Sequence, residues 1–209
     1  MNYLPEFATV ALIHLLAVMS PGPDFVMIVR NAFKYSTKTA VWSAIGLGLG
    51  IALHVIYSIV GIGILVSKSV IAFSIIKFLG AGYLIYIGWK SLRTVSKTNN
   101  HELEIKKTVD ISVFEALKLG FLTNALNPKA TVFIVSLFSQ FISSSTPLTI
   151  KILYGLEMST VTMLWFTFVG IIVAHRSIKS RLIHSQTLIE RISGAVLILF
   201  GLKLAFSKK

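Results

Sequence analysis

The chain has no cysteine among its 209 residues. That excludes disulfides, thiol redox chemistry and thiolate metal sites. Acidic residues are also few: eight Asp and Glu stand against 20 Lys and Arg, for a formal net charge of +12. So small a stock of carboxylates, with single histidines at no ligand spacing, gives no expectation of a metal site or a cofactor. Charged residues of both signs make up only 13% of the chain, against 55% hydrophobic residues and a mean hydropathy of +0.80. That balance belongs to polytopic membrane proteins. The positive charge does not signal nucleic acid, because it collects in short loops between apolar runs and forms no stripe interleaved with aromatics. Met1 to Phe7 carries Glu6 and no basic residue, so it lacks the positive start of a secretory signal. The first apolar segment is therefore expected to stay as a span.

A template of about 20 apolar residues finds six spans. They run Leu4–Val29, Ala40–Val66, Val70–Trp89, Phe114–Ile142, Leu148–Ala174 and Leu188–Phe206. Their lengths exceed those of barrel strands and they lack alternation, so all six are expected to be helical. Arg30, Lys34, Lys38, Arg93, Lys97, Lys106, Lys107, Arg176, Lys179 and Arg181 fall in loops on one side. The other side has Lys68, a loop Ser143–Pro147 without basic residues, and Lys208 and Lys209 at the tail. The positive-inside rule then puts both termini outside the cytoplasm.

Two spans are interrupted. The first contains Ser20-Pro21-Gly22-Pro23-Asp24, and the fourth contains Asn127-Pro128-Lys129. Proline removes a backbone donor and clashes with the preceding turn, and glycine relaxes the chain there. Lipid cannot satisfy the freed carbonyls, so each break must face protein or a wet cavity. A charge at such a break is a functional candidate.

The polar stretch Thr94–Asp110 is the one candidate linker. It suggests a single membrane domain, 1–209, of two repeats, about 1–93 and about 113–209, joined by a loop at 94–112. Leu84-Ile85-Tyr86-Ile87-Gly88-Trp89-Lys90 matches Leu197-Ile198-Leu199-Phe200-Gly201-Leu202-Lys203 at four positions. Gly80, Ala81 and Gly82 align with Ser193, Gly194 and Ala195, and the Pro21–Pro23 break has its counterpart at Pro128. Three spans per repeat is an odd number, so the second repeat enters the membrane upside down. The expected fold is all-α and polytopic, with six transmembrane helices in two inverted three-helix repeats, helices one and four being broken by proline motifs. Broken helices in corresponding positions of inverted repeats point to a transporter site near the midplane.

At each break a half-helix begins with unpaired N–H groups and a positive dipole end. Pro23 suits its first position, with Asp24 in the first turn, and Pro128 and Lys129 do the same in span four. Asp24 facing an ammonium and Lys129 facing a carboxylate would hold a zwitterion. The alternative has Asp24 capping its own helix and pairing with Lys129. Asn124 and Asn127 offer amide groups beside the second break, as cap, as substrate lining, or as both. Glu157 lies about 12 Å into span five at ~1.5 Å per residue. A carboxylate drawn out of water favours its neutral form, which makes Glu157 the leading proton-coupling candidate, with Asp24 beside it. Otherwise it is a structural glutamate bonded to Ser159 and Thr160. His54 is a candidate for the cavity wall, and His14 reads as packing. Gly46, Gly48, Gly50, Gly61 and Gly63 read as close helix approach, and Glu115 with Lys118 as an interfacial pair. Ser20 has no histidine or acid at motif spacing, so a serine hydrolase is unsupported.

Taken together, these residues resemble the LysE/RhtB amino-acid exporters over nearly the whole chain. Pro21-Gly22-Pro23-Asp24 resembles the family's first-helix signature, and Gly46, Gly50 and His54 its second-helix pattern. Tyr83-Leu84-Ile85-Tyr86-Ile87-Gly88-Trp89-Lys90 is similar to its third helix. Asn127-Pro128-Lys129-Ala130, ending in Gln140-Phe141, resembles its fourth, although Ser139 stands where the family usually has proline. The resemblance implies an exporter of amino acids or close derivatives in a bacterial inner or plasma membrane, driven by ion exchange and assembled as a homodimer. Its partners would be a zwitterionic amino acid and membrane lipid. Proton antiport, with one repeat rocking against the other, is the expected mechanism. The rival classes are an efflux carrier for another solute or a divalent metal, and an intramembrane enzyme using Asp24 and Glu157 as an acid pair.

Overall fold

A computed structural model describes residues 3–68, 70–93, 108–141 and 146–173, together with 188, 191–192, 194–203 and 205–206. Every regular element among them is a helix: α1 Leu4–Met19, α2 Pro23–Lys34, α3 Thr37–Lys68, α4 Val70–Leu92, α5 Val113–Ala125, α6 Pro128–Phe141 and α7 Leu148–Val173. A shorter apolar helix, Gly194–Lys203, is α8. Among the described residues, α3 and α7 are each long and apolar enough to cross a membrane, and counting each bent pair as one span gives four. α4 occupies the expected third span, and α8 covers the later part of the expected sixth. The loop from Thr94 to Lys107, the basic cluster Arg176, Lys179 and Arg181, and the tail lysines lie outside the described residues.

Both expected breaks are present. The chain bends by 55° between α1 and α2 and by 61° between α5 and α6. Pro23 and Pro128 each open the second member of the pair, where a missing N–H removes no helical bond. α2 continues five residues beyond the expected end at Val29 and stops at Lys34. α3 begins three residues before Ala40 because its N-terminus is fastened from outside. Ser36 Oγ accepts from the Thr39 amide at 3.3 Å, while the Asp110 carboxylate accepts from the Ser36 and Thr39 hydroxyls at 2.7 and 3.2 Å. The Thr108 amide adds a bond to the Lys34 carbonyl at 2.8 Å.

Glu115 does not stand as the expected partner of Lys118. It closes a capping box at the start of α5, accepting from the Ser112 amide at 2.9 Å while Ser112 caps the Glu115 amide. α3 and α5 then run side by side with backbones nearly touching. A methyl at Gly120 would strike the Ser43 carbonyl, one at Gly46 the Leu117 carbonyl, and one at Gly50 would lie 2.7 Å from Asn124 Cβ. Gly48 is likewise pressed against α7, whereas Gly61 faces open space and serves no such approach.

Two apolar clusters enclose the middle of the molecule. One gathers Val10, Ile51, Phe133, Leu137, Tyr154 and Leu197 from α1, α3, α6, α7 and α8. The other gathers Met27, Ile28, Ala44, Leu47 and Phe166 from α2, α3 and α7. The breaks lie between them.

Candidate functional site

A cavity of about 40 Å³ opens between the breaks. It has room for a few waters. Of the residues expected from sequence, Gly22, Asp24, Asn124, Asn127 and Lys129 line it. Pro21, Pro23 and Pro128 do not. They shape the bends behind the wall.

Asp24 reaches across from α2 to the other broken pair. Asn124 Nδ2 donates to its Oδ2 at 2.7 Å and Asn127 Nδ2 to its Oδ1 at 3.1 Å. No side chain caps α2, whose N-cap is Gly22, so the alternative of Asp24 capping its own helix is not what the chain adopts. α6 is capped in the ordinary way, by Asn127 Oδ1 accepting from the Lys129 amide at 3.0 Å. Asn127 thus caps the helix as expected with its oxygen, while its nitrogen holds the Asp24 carboxylate. Lys129 reaches back in the opposite sense and donates from Nζ to the Ser20 carbonyl at 3.1 Å. Each break thus receives a charged side chain from the other.

His54 sits one layer behind. It is fully buried, its Nε2 lies 2.9 Å from the Asn124 backbone oxygen, and its Nδ1 meets the Tyr57 hydroxyl. Its role is to hold the chain that carries Asn124. Gly50 completes that support by letting Asn124 settle against α3.

Glu157 is on α7, with its carboxylate 11% exposed and Oε1 3.9 Å from Nδ1 of the fully buried His14. Neither carboxylate oxygen has a hydrogen-bond partner among the described residues, so the expected support from Ser159 and Thr160 is not formed. His14 departs from its reading as packing, because it lines the cavity. The sequence carried one hint of this, depth. His14 shares a helical stripe with Val10 and Ala17, and it lies about 15 Å along α1 at ~1.5 Å per residue, a depth matching that of Glu157. Thr162, close to its Nε2 at 3.4 Å, was also missed.

Helices broken inside the apolar layer, with opposite charges exchanged across a buried cavity, define the class as a helical membrane transporter. The chain belongs to the LysE type translocator family, whose pattern matches residues 15–208. Members of that family are transporters and not enzymes, which removes the acid-pair enzyme as a class. An uncharacterized membrane protein of Bacillus subtilis, YrhP, is 29% identical over 198 residues, covering 92% of this chain and 94% of its own. The threonine efflux protein of Escherichia coli K12 is 28% identical over 97% of this chain and 98% of its own. A homoserine/homoserine lactone efflux protein of Salmonella typhimurium is 33% identical over 63% of this chain and 62% of its own. No solved structure matches the chain.

Proposed function

We propose that the protein exports small zwitterionic amino acids or close derivatives from a bacterial cytoplasm, by proton antiport with alternating access. The observation that carries this reading is the crossed pair of charges: Asp24 held by two amides, and Lys129 over Gly22, on the two walls of one cavity. A substrate ammonium would replace the amides at Asp24, and its carboxylate would take the Lys129 ammonium from the Ser20 carbonyl. Glu157 is the leading proton carrier, and Asp24 the second. Threonine and homoserine are the substrates to test first, since two relatives are named for them.

The inverted repeat is supported by packing. Exchanging α1, α2 and α3 with α5, α6 and α7 turns the observed contacts α1–α6, α1–α7 and α2–α7 into α5–α2, α5–α3 and α6–α3, which are also observed, whereas α2–α3 has no comparable α6–α7 counterpart among the described residues. α4 and α8 cross antiparallel, with Gly88 against Gly194 and Ala81 against Gly201. Antiparallel counterparts are what an upside-down second repeat requires. The turn after Lys34 is bonded to Thr108 and Asp110, which brings together two segments that the charge pattern assigns to one side.

The test is export from cells loaded with threonine- and homoserine-containing dipeptides, with and without the protein and with and without a proton gradient. Gradient-dependent release of one of these amino acids is expected. Equal release from cells with and without inserted protein, across a full panel of amino acids, would turn the reading toward another solute.

A further inference from the structure

His14 lines the cavity, and Glu157, which does not, faces it from α7; their facing atoms share no hydrogen bond. Nδ1 of His14 and both carboxylate oxygens of Glu157 are buried and lack a hydrogen-bond partner among the described residues, yet Nδ1 and Oε1 are only 3.9 Å apart. A structural pair would close to about 2.8 Å, because leaving a buried donor and acceptor unbonded to each other is costly. The gap is about 1 Å more than a hydrogen bond, and the two groups sit on helices of opposite repeats. A small shift of α1 against α7 makes or breaks their bond.

The neighbouring groups are otherwise engaged. Tyr154 gives its hydroxyl to Glu6 at 3.0 Å, His54 is turned to Asn124 and Tyr57, and Asp24 is held by two amides. Lys129 extends toward Ser20 from the other wall. Trp165 Nε1 is also buried on α7 and has no partner among the described residues, but an indole donates only and cannot carry a proton. Thr162, at 3.4 Å from Nε2, steadies the outer edge of the His14 ring.

We infer that His14 and Glu157 together form the proton-binding site of the carrier, taking up and releasing one proton as a unit while the amino acid binds between Asp24 and Lys129. This rests on the export reading above. The proton comes from water entering the cavity and resides on the carboxyl or shared across the His14–Glu157 bond. It returns to water on the other side as the gap reopens, with no covalent change. Coupled groups of this kind titrate as a pair.

The experiment compares the full-length protein with His14→Gln and Glu157→Gln, which keep shape and remove the ability to ionise. In vesicles, threonine accumulation driven by a pH difference is expected to fall about tenfold or more in each variant. Threonine-for-threonine exchange without a gradient, which needs no proton, is expected to fall several-fold less than accumulation does in each variant. Loss of both activities alike, or of neither, would overturn the pair as a proton site. A second measurement does not depend on transport: the infrared band of a protonated carboxyl in the purified protein, followed between about pH 5 and 9. A titrating band that vanishes in Glu157→Gln and moves along the pH axis in His14→Gln is expected. A band unchanged by either substitution would overturn the pair even if export is established. A titrating band in a protein that moves no amino acid would instead overturn the export reading.

Discussion

The two broken helices share a plan and differ in how their ends are closed. Each bends by a similar angle, 55° and 61°, and each restarts on a proline. At the second break Asn127 caps α6 with its own oxygen, so that end is satisfied within its own chain segment. At the first, Gly22 provides no side chain and α2 stays uncapped. Asp24, which in another helix would fold back over its first turn, is instead drawn outward to Asn124 and Asn127. One break is a finished helix end that lends groups to its neighbour, and the other is an open end with its charge on loan. The asymmetry lets one cavity offer an acidic and a basic wall.

Breaking the comparison at its charges gives the largest expected effect. Asp24→Asn and Lys129→Ala are each expected to lower export by about 100-fold, the order expected when a charged group of the substrate loses its oppositely charged partner. Both should still be recovered in the membrane fraction, and near-normal export by both would refute the site. Next comes the support behind the second break. Gly50→Ala pushes a methyl into Asn124, 2.7 Å away, and should cost about 1–3 kcal/mol of strain, read as roughly tenfold slower export.

Asn127→Ala removes a cap worth about 1 kcal/mol together with one of the two donors to Asp24. It is expected to lower both the melting temperature and apparent substrate affinity. Its counterpart Gly22→Ala should do little, because the backbone there is extended at φ −160° and the new methyl meets Lys129 Nζ at an ordinary 3.7 Å. Export within about threefold of normal would sustain the contrast, whereas a loss equal to that of Asn127→Ala would erase it. Smallest is Ser112→Ala, which opens the α5 capping box for about 1 kcal/mol and should lower the melting temperature by a few degrees with export unchanged.

The breaks were legible because proline and glycine inside an apolar run have few structural outlets. Asp24, Asn124, Asn127 and Lys129 were legible because polar groups at such a break must find work. His14 was not, since a lone imidazole on an apolar stripe resembles many core histidines, and its meaning depends on Glu157, 143 residues away along the chain. The cap on α3 escaped for the same reason: Asp110 lies 71 and 74 residues from the hydroxyls it binds. His54 was found as a residue of interest but assigned to the wall, because its target, a backbone carbonyl, leaves no mark in sequence.

The glycine seam between α3 and α5 has a mechanical consequence. Gly46, Gly50 and Gly120 lock α3 and α5 almost backbone to backbone, and Asp110 rivets their adjoining ends. Helices so engaged do not slide past one another without losing the contacts of the whole seam. Any motion that opened the cavity would therefore carry α5 together with α3, and the bend between α5 and α6 would take up the change.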